Sequence, residues 1–86
     1  MSPPFRVEFV PSAARDYRGL PESLQARIAS CLEALAGDPL SGKPLKGPYR
    51  KLRSYRVGEF RIVYRVDAKA RLVLVQRIGD RRDVYR

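Results

Sequence analysis

The residues of this chain able to act on a substrate are arginine, lysine and tyrosine. Histidine is absent, which removes the commonest general acid–base group and the commonest metal ligand. The one cysteine, Cys31, makes neither a zinc site nor an internal disulfide. It falls on the apolar stripe of a helix, which suits a small buried side chain in a reducing compartment. Gly42, Gly47 and Gly58 lack the spacing of a phosphate-cradling loop. Asp67, Asp80 and Asp83 have basic residues close by and suit turns or salt bridges better than Mg²⁺. No metal and no cofactor is therefore expected. Arginine stays charged and forks onto phosphate oxygens, and several arginines around one phosphodiester can stabilise a pentacoordinate transition state. Arg56 and Arg61 lie near a hairpin, and Arg81 and Tyr85 lie beyond the last strand, so the four could converge. A solvated sheet face accounts equally well for Arg56, Arg61 and Arg65, and a hydrophobic cap for Tyr85. The pattern alone leaves both readings open.

The elements that must position these groups follow from periodicity. Phe60, Ile62, Tyr64 and Val66 alternate with Arg61, Val63 and Arg65, which predicts a strand with one apolar and one cationic face. A strand over about Lys51–Val57 precedes it across a Gly58-Glu59 turn, its parity ambiguous because Tyr55 and Val57 share a face with Arg53. Asp67–Ala70 turns into Leu72–Val75, apolar at both parities and so expected to be buried on both faces. Near the start, Phe5–Val10 alternates as a first strand. Ser12 is the expected N-cap of a helix through Arg18, closed by Gly19. Leu24, Ile28, Cys31, Leu32 and Leu35 make one stripe on a second helix, which starts at Leu20-Pro21-Glu22 and stops at Gly37-Asp38-Pro39. Leu40–Pro48 is rich in turn formers and is expected to be a loop. The predicted fold is α+β: strand–helix–helix–strand–strand–strand, two antiparallel helices on one face of a four-stranded, mostly antiparallel sheet, with the first strand beside the last.

At 86 residues the chain suits a single domain, residues 1–86, with one modest core. The 44% hydrophobic and 31% charged residues mark a globular composition. The net charge of +9 is uneven: residues 1–49 carry six Lys/Arg against five Asp/Glu, and residues 50–86 carry twelve against four. That concentration is the footprint of a polyanion binder. No apolar run approaches the length of a membrane span and no secretion signal is evident at Met1, so a cytoplasmic protein is expected.

Y-R-V-G-E-F-R-I-V-Y-R-V (residues 55–66) followed by R-I-G-D-R-R-D-V-Y-R (residues 77–86) resembles the C-terminal signature of the RelE/ParE toxin superfamily of bacterial toxin–antitoxin pairs. The opening F-R-V-E-F-V-P-S-A-A-R-D-Y, the L-P-E-S-L-Q-A-R-I restart and the D-P-L-S-G-K-P-L-K-G loop are similar too, so the likeness spans nearly the whole chain. It implies a RelE-like fold and one of two activities. RelE-like members are ribosome-dependent endoribonucleases that cut mRNA in the A site by driving a 2′-hydroxyl onto the adjacent phosphate. ParE-like members lack that catalytic set and poison DNA gyrase.

By this resemblance Arg61 matches a transition-state arginine, Arg81 an arginine proposed as general acid, and Tyr85 a tyrosine that stacks on the substrate and helps activate the 2′-hydroxyl. Arg53, Arg56, Arg65, Lys46, Lys51 and Arg82 would then hold RNA and ribosome. RelE itself has lysines where this chain has Leu52 and Ser54, and many relatives have a histidine where it has Asp80. The identity of the base is therefore left open. The implied partners are the ribosome, mRNA and a RelB-like antitoxin wrapping the basic face in a toxin–antitoxin hetero-oligomer. The alternatives are a gyrase inhibitor and a catalytically decayed antitoxin-binding module.

Overall fold

Each period-two and helical stretch folds as its pattern dictates, and one short element is added. The computed structural model describes residues 3–80. In chain order these are β1 (Arg6–Phe9), α1 (Pro11–Arg18), α2 (Glu22–Gly37), β2 (Lys43–Pro44), β3 (Arg53–Val57), β4 (Phe60–Asp67) and β5 (Leu72–Asp80). Single 3-10 turns stand at Pro39–Ser41 and Gly47–Tyr49. The sheet order is β1-β5-β4-β3-β2, with β1 parallel to β5 and every other pair antiparallel.

The sheet has five strands and not four, because the expected loop contains β2, with Lys43 opposite Ser54 and Pro44 opposite Arg53. A proline is tolerated there because an edge strand has a side that needs no donor. The last strand runs to Asp80 and not to Val75. Its Val73 and Val75 are buried, whereas Leu72 and Leu74 are only half-buried, so burial on both faces is not what their apolar run signifies.

The core lies between the helices and one sheet face. Ala13 of α1 and Ile28, Leu32 and Leu35 of α2 pack on Val57, Ile62, Tyr64, Val73, Val75 and Ile78. Ile28 and Leu35 are fully buried, and each such side chain contributes roughly 1.5–3 kcal/mol. Tyr17 and Gln25 brace the helices reciprocally: Tyr17 Oη donates to the Gln25 carbonyl (3.1 Å) and Gln25 Nε2 to the Tyr17 carbonyl (2.9 Å).

Ser12 does not cap α1. Val10 stands at the N-cap position, with no side-chain cap, and the helix starts at Pro11; proline suits that position because its missing N–H has no helical partner to lose. Ser12 Oγ instead donates to the carbonyl of Gln76 (3.2 Å). Gln76 is the extra residue of a β-bulge in β5, where the partners of Val63 and Tyr64 are Arg77 and Val75. The bulge frees backbone groups from the ladder, and α1 supplies partners. Asp16 Oδ2 accepts from Ile78 N–H (2.9 Å) and Arg77 Nε (3.0 Å).

Candidate functional site

The hairpin between β3 and β4 fixes the site. Val57 pairs with Phe60, leaving Gly58-Glu59 as a two-residue loop. Gly58 has φ +60°, a value its missing side chain makes inexpensive and which hairpins of the II′ kind need at this position. That register sets Arg56 directly opposite Arg61, and Gly79 of β5 beside Arg61. Tyr55, Val57 and Ile62 turn to the core, so Arg56 and Arg61 share the face that bears no helix. Like charges set opposite one another on a sheet are destabilising. A bound anion between them would reverse that sign.

Arg56 and Arg61 line a groove of about 380 Å³ with Lys43, Leu45 and Ser54. Lys43 belongs to β2 and stands opposite Ser54. Ser54 is the one buried polar residue among those described. Arg56 Nε donates to the Gly58 carbonyl (3.2 Å), which turns its guanidinium along the hairpin. Three cations thus surround a narrow opening floored by a serine. Such a set of donors suits an oxyanion. Among the described residues no group of three or more His, Cys, Asp or Glu is placed to hold a metal ion.

The other expected RNA-binding residues separate. Arg65 shares the outer face of β4 but lies four residues along it, about 13 Å from Arg61 at strand rise, opposite Leu74. Lys46 and Lys51 are exposed on either side of the Gly47–Tyr49 turn and do not line the groove. Arg53 faces the other way. It stands opposite the buried Tyr64, and its Nη1 donates to the carbonyls of Gly42 (2.7 Å) and Leu40 (3.2 Å). Arg81, Arg82 and Tyr85 lie outside the described residues.

Lys43 and Ser54 were not among the residues chosen from the sequence. The structure holds the segment leading to Lys43 through Tyr64. The buried Tyr64 Oη accepts from Gly42 N–H (2.9 Å) and donates to the Pro39 carbonyl (2.8 Å). Burial pushes the Tyr64 phenol above its ordinary 10.0, partly offset by the Gly42 N–H and the Arg53 charge. A Cβ on Gly42 would collide with Tyr64 Oη. The glycine is required by that close approach and not by its backbone angles, which are ordinary extended values (φ −73°, ψ 158°). On the other side of the sheet a largely apolar cleft runs beside β1, lined by Val7, Phe9, Tyr17, Leu32 and Glu33 among others.

Fold and groove together define a small α+β protein that presents a cationic groove on the helix-free face of its sheet. The family model for the ParE toxin of type II toxin–antitoxin systems matches residues 7–85. Toxin RelG of Mycobacterium tuberculosis is 34% identical over 85 residues, covering 96% of this chain and 98% of its own length. The toxin–antitoxin complex RelBE2 of the same organism contains a chain that superposes with a TM-score of 0.87 at 32% identity, covering 96% of this chain and 98% of that one. The isolated Escherichia coli RelE toxin shares the fold (TM-score 0.77, 21% identity, 94% and 90% covered). The chain belongs to the RelE/ParE superfamily and is a toxin of a type II toxin–antitoxin system.

Proposed function

We propose that this toxin is a ribosome-dependent endoribonuclease that cleaves mRNA in the A site without a metal ion. The observation that carries the reading is the convergence of Arg56 and Arg61 with Lys43 on one groove, at the strand end that leads directly into residues 81–86. In the step itself a 2′-hydroxyl oxygen attacks the adjacent phosphorus and the bond to the 5′-oxygen breaks. Arg61 stabilises the extra charge of the phosphorane, as preorganised donors do where charge develops. Tyr85 stacks on the substrate and helps activate the 2′-hydroxyl, and Arg81 donates to the departing 5′-oxygen. The products are a 2′,3′-cyclic phosphate and a 5′-hydroxyl. Arg65, Lys46 and Lys51, exposed outside the groove, and Arg82 neutralise rRNA and mRNA phosphates. A RelB-like antitoxin covering the basic face would silence the toxin, and the cytoplasm is where it meets its ribosomes.

The test is primer extension on translating ribosomes, with the cleaved ends identified chemically. Cyclic phosphate ends, abolished by a 2′-deoxy substitution at the cut site and slowed about a hundredfold or more by Arg81→Ala, are the expected result. Undiminished cleavage by that variant removes Arg81 from the mechanism. A second reading is a gyrase inhibitor, favoured by the ParE description of the matching family model and by Leu52 and Ser54 standing where RelE has lysines. Inhibition of purified gyrase with no cut mRNA would establish it instead.

A further inference from the structure

We infer that Lys43 is a third phosphate-contacting residue of the groove, delivered there by a two-residue edge strand and held in place by Tyr64 and Arg53. The inference deepens the nucleic-acid-cleaving reading above and rests on it. Ser54 is the position of β3 that faces the groove between its cationic neighbours, and its side chain is short and neutral. Its cross-strand partner is Lys43. Opposed Cβ atoms across such a pair stand about 4.5–5.5 Å apart, so a four-carbon stem passes over Ser54 and brings an ammonium toward Arg56 and Arg61. A serine beneath leaves room for that reach, where a longer side chain would fill it. The two guanidinium groups are planar forks, whereas an ammonium is a compact charge with three rotatable donors. It can take the phosphate oxygen that the forks leave uncovered.

A strand of two residues, one of them proline, has little of its own to hold it. Its ladder consists of the Lys43–Ser54 and Pro44–Arg53 pairs. Just after it, Leu45 N–H donates to the Leu52 carbonyl (3.1 Å), and side-chain hydrogen bonds hold the segment before it. Tyr64 Oη grips Pro39 and Gly42, and Arg53 grips Leu40 and Gly42. Gly42 directly precedes Lys43, so two of these four hydrogen bonds end one residue from the groove. Tyr64 and Arg53 touch no substrate in this scheme; they are positioning residues.

The test uses the full chain and a single-stranded RNA hexamer blocked by 2′-O-methylation, with affinity measured over a salt series. Lys43→Ala is expected to weaken binding about tenfold, the scale of one charge-assisted hydrogen bond, and to lower the log–log salt slope by about 0.7. Lys43→Arg should restore most of both. Lys69→Ala removes the same charge from the exposed turn after β4 and should change neither by more than about twofold. Tyr64→Phe, checked for folding by circular dichroism, should weaken binding several-fold in the parent chain and add nothing in the Lys43→Ala background. Equal losses from Lys43→Ala and Lys69→Ala, additive losses from Tyr64→Phe, or no binding by the parent chain would overturn the inference. Lys43-dependent binding without any cleavage on ribosomes would remove the nuclease reading and leave this one standing. Cleavage indifferent to Lys43 would do the reverse.

Discussion

Replacing Tyr64 with phenylalanine separates the hydrogen-bonding work of this residue from its packing. The ring is fully buried and would stay so, because phenylalanine fills the same space and opens no cavity. What disappears is the pair of bonds from Oη to Gly42 N–H (2.9 Å) and the Pro39 carbonyl (2.8 Å). A buried N–H left without a partner costs about 1–3 kcal/mol, so a loss near ~2 kcal/mol is expected. For a chain of this size that lowers Tm by roughly 8–16 °C. A pH arm sharpens the test. Burial raises the folded-state pKa of Tyr64 above 10.0, while the unfolded chain ionises near 10. The contribution of the neutral phenol is complete below the unfolded value and is lost as pH rises through the folded one, because the unfolded state sheds its proton first. The stability gap between parent and Tyr64→Phe should therefore be full at neutral pH and narrow as pH rises past about 10. Thermal and urea melts at several pH values measure both effects. A gap under about 0.5 kcal/mol at neutral pH, or one that does not move with pH, would refute this role of the Tyr64 hydroxyl.

Two more substitutions probe the supports of the site. Gly42→Ala should destabilise by about 2–4 kcal/mol through the clash with Tyr64, and pairing it with Tyr64→Phe should recover part of the loss in thermal melts, since the nearest obstructing atom is the hydroxyl oxygen. Asp16→Ala should cost about 1–3 kcal/mol in urea melts, because it removes the acceptor of both Ile78 N–H and Arg77 Nε at the bulge. It should also slow RNA cleavage while leaving RNA affinity nearly unchanged, since the bulged strand leads to residues 81–86; equal loss of both would argue against that coupling.

Much of this architecture was legible because its signals are local. The alternation of Phe60 to Val66 and the stripe from Leu24 to Leu35 each state a periodicity, and the Gly58-Glu59 turn sets a register that makes Arg56 and Arg61 face each other. Superfamily and fold class followed from the same segments, and the comparisons bear both out. The parts that escaped depend on contacts distant in sequence. β2 is too short to show any period, and the backbone before Lys43 is held by Tyr64, more than twenty residues on, and by Arg53. Arg53 looks like a surface cation in the sequence. Its parity places it with Tyr55 and Val57, and its head finds two carbonyls so that the stem can cross apolar ground. Ser12 has the type of a cap, but the bulge in β5 offers its hydroxyl a carbonyl that the ladder cannot satisfy.

The most direct measurement is the single-turnover rate of mRNA cleavage on ribosomes paused with a defined codon in the A site, for the parent chain and for Arg61→Ala. A groove arginine that stabilises the phosphorane predicts cleavage by the parent and a fall of about a hundredfold or more in the variant, with unchanged circular dichroism. A variant as fast as the parent, or a parent chain that cuts nothing while arresting gyrase, would contradict it.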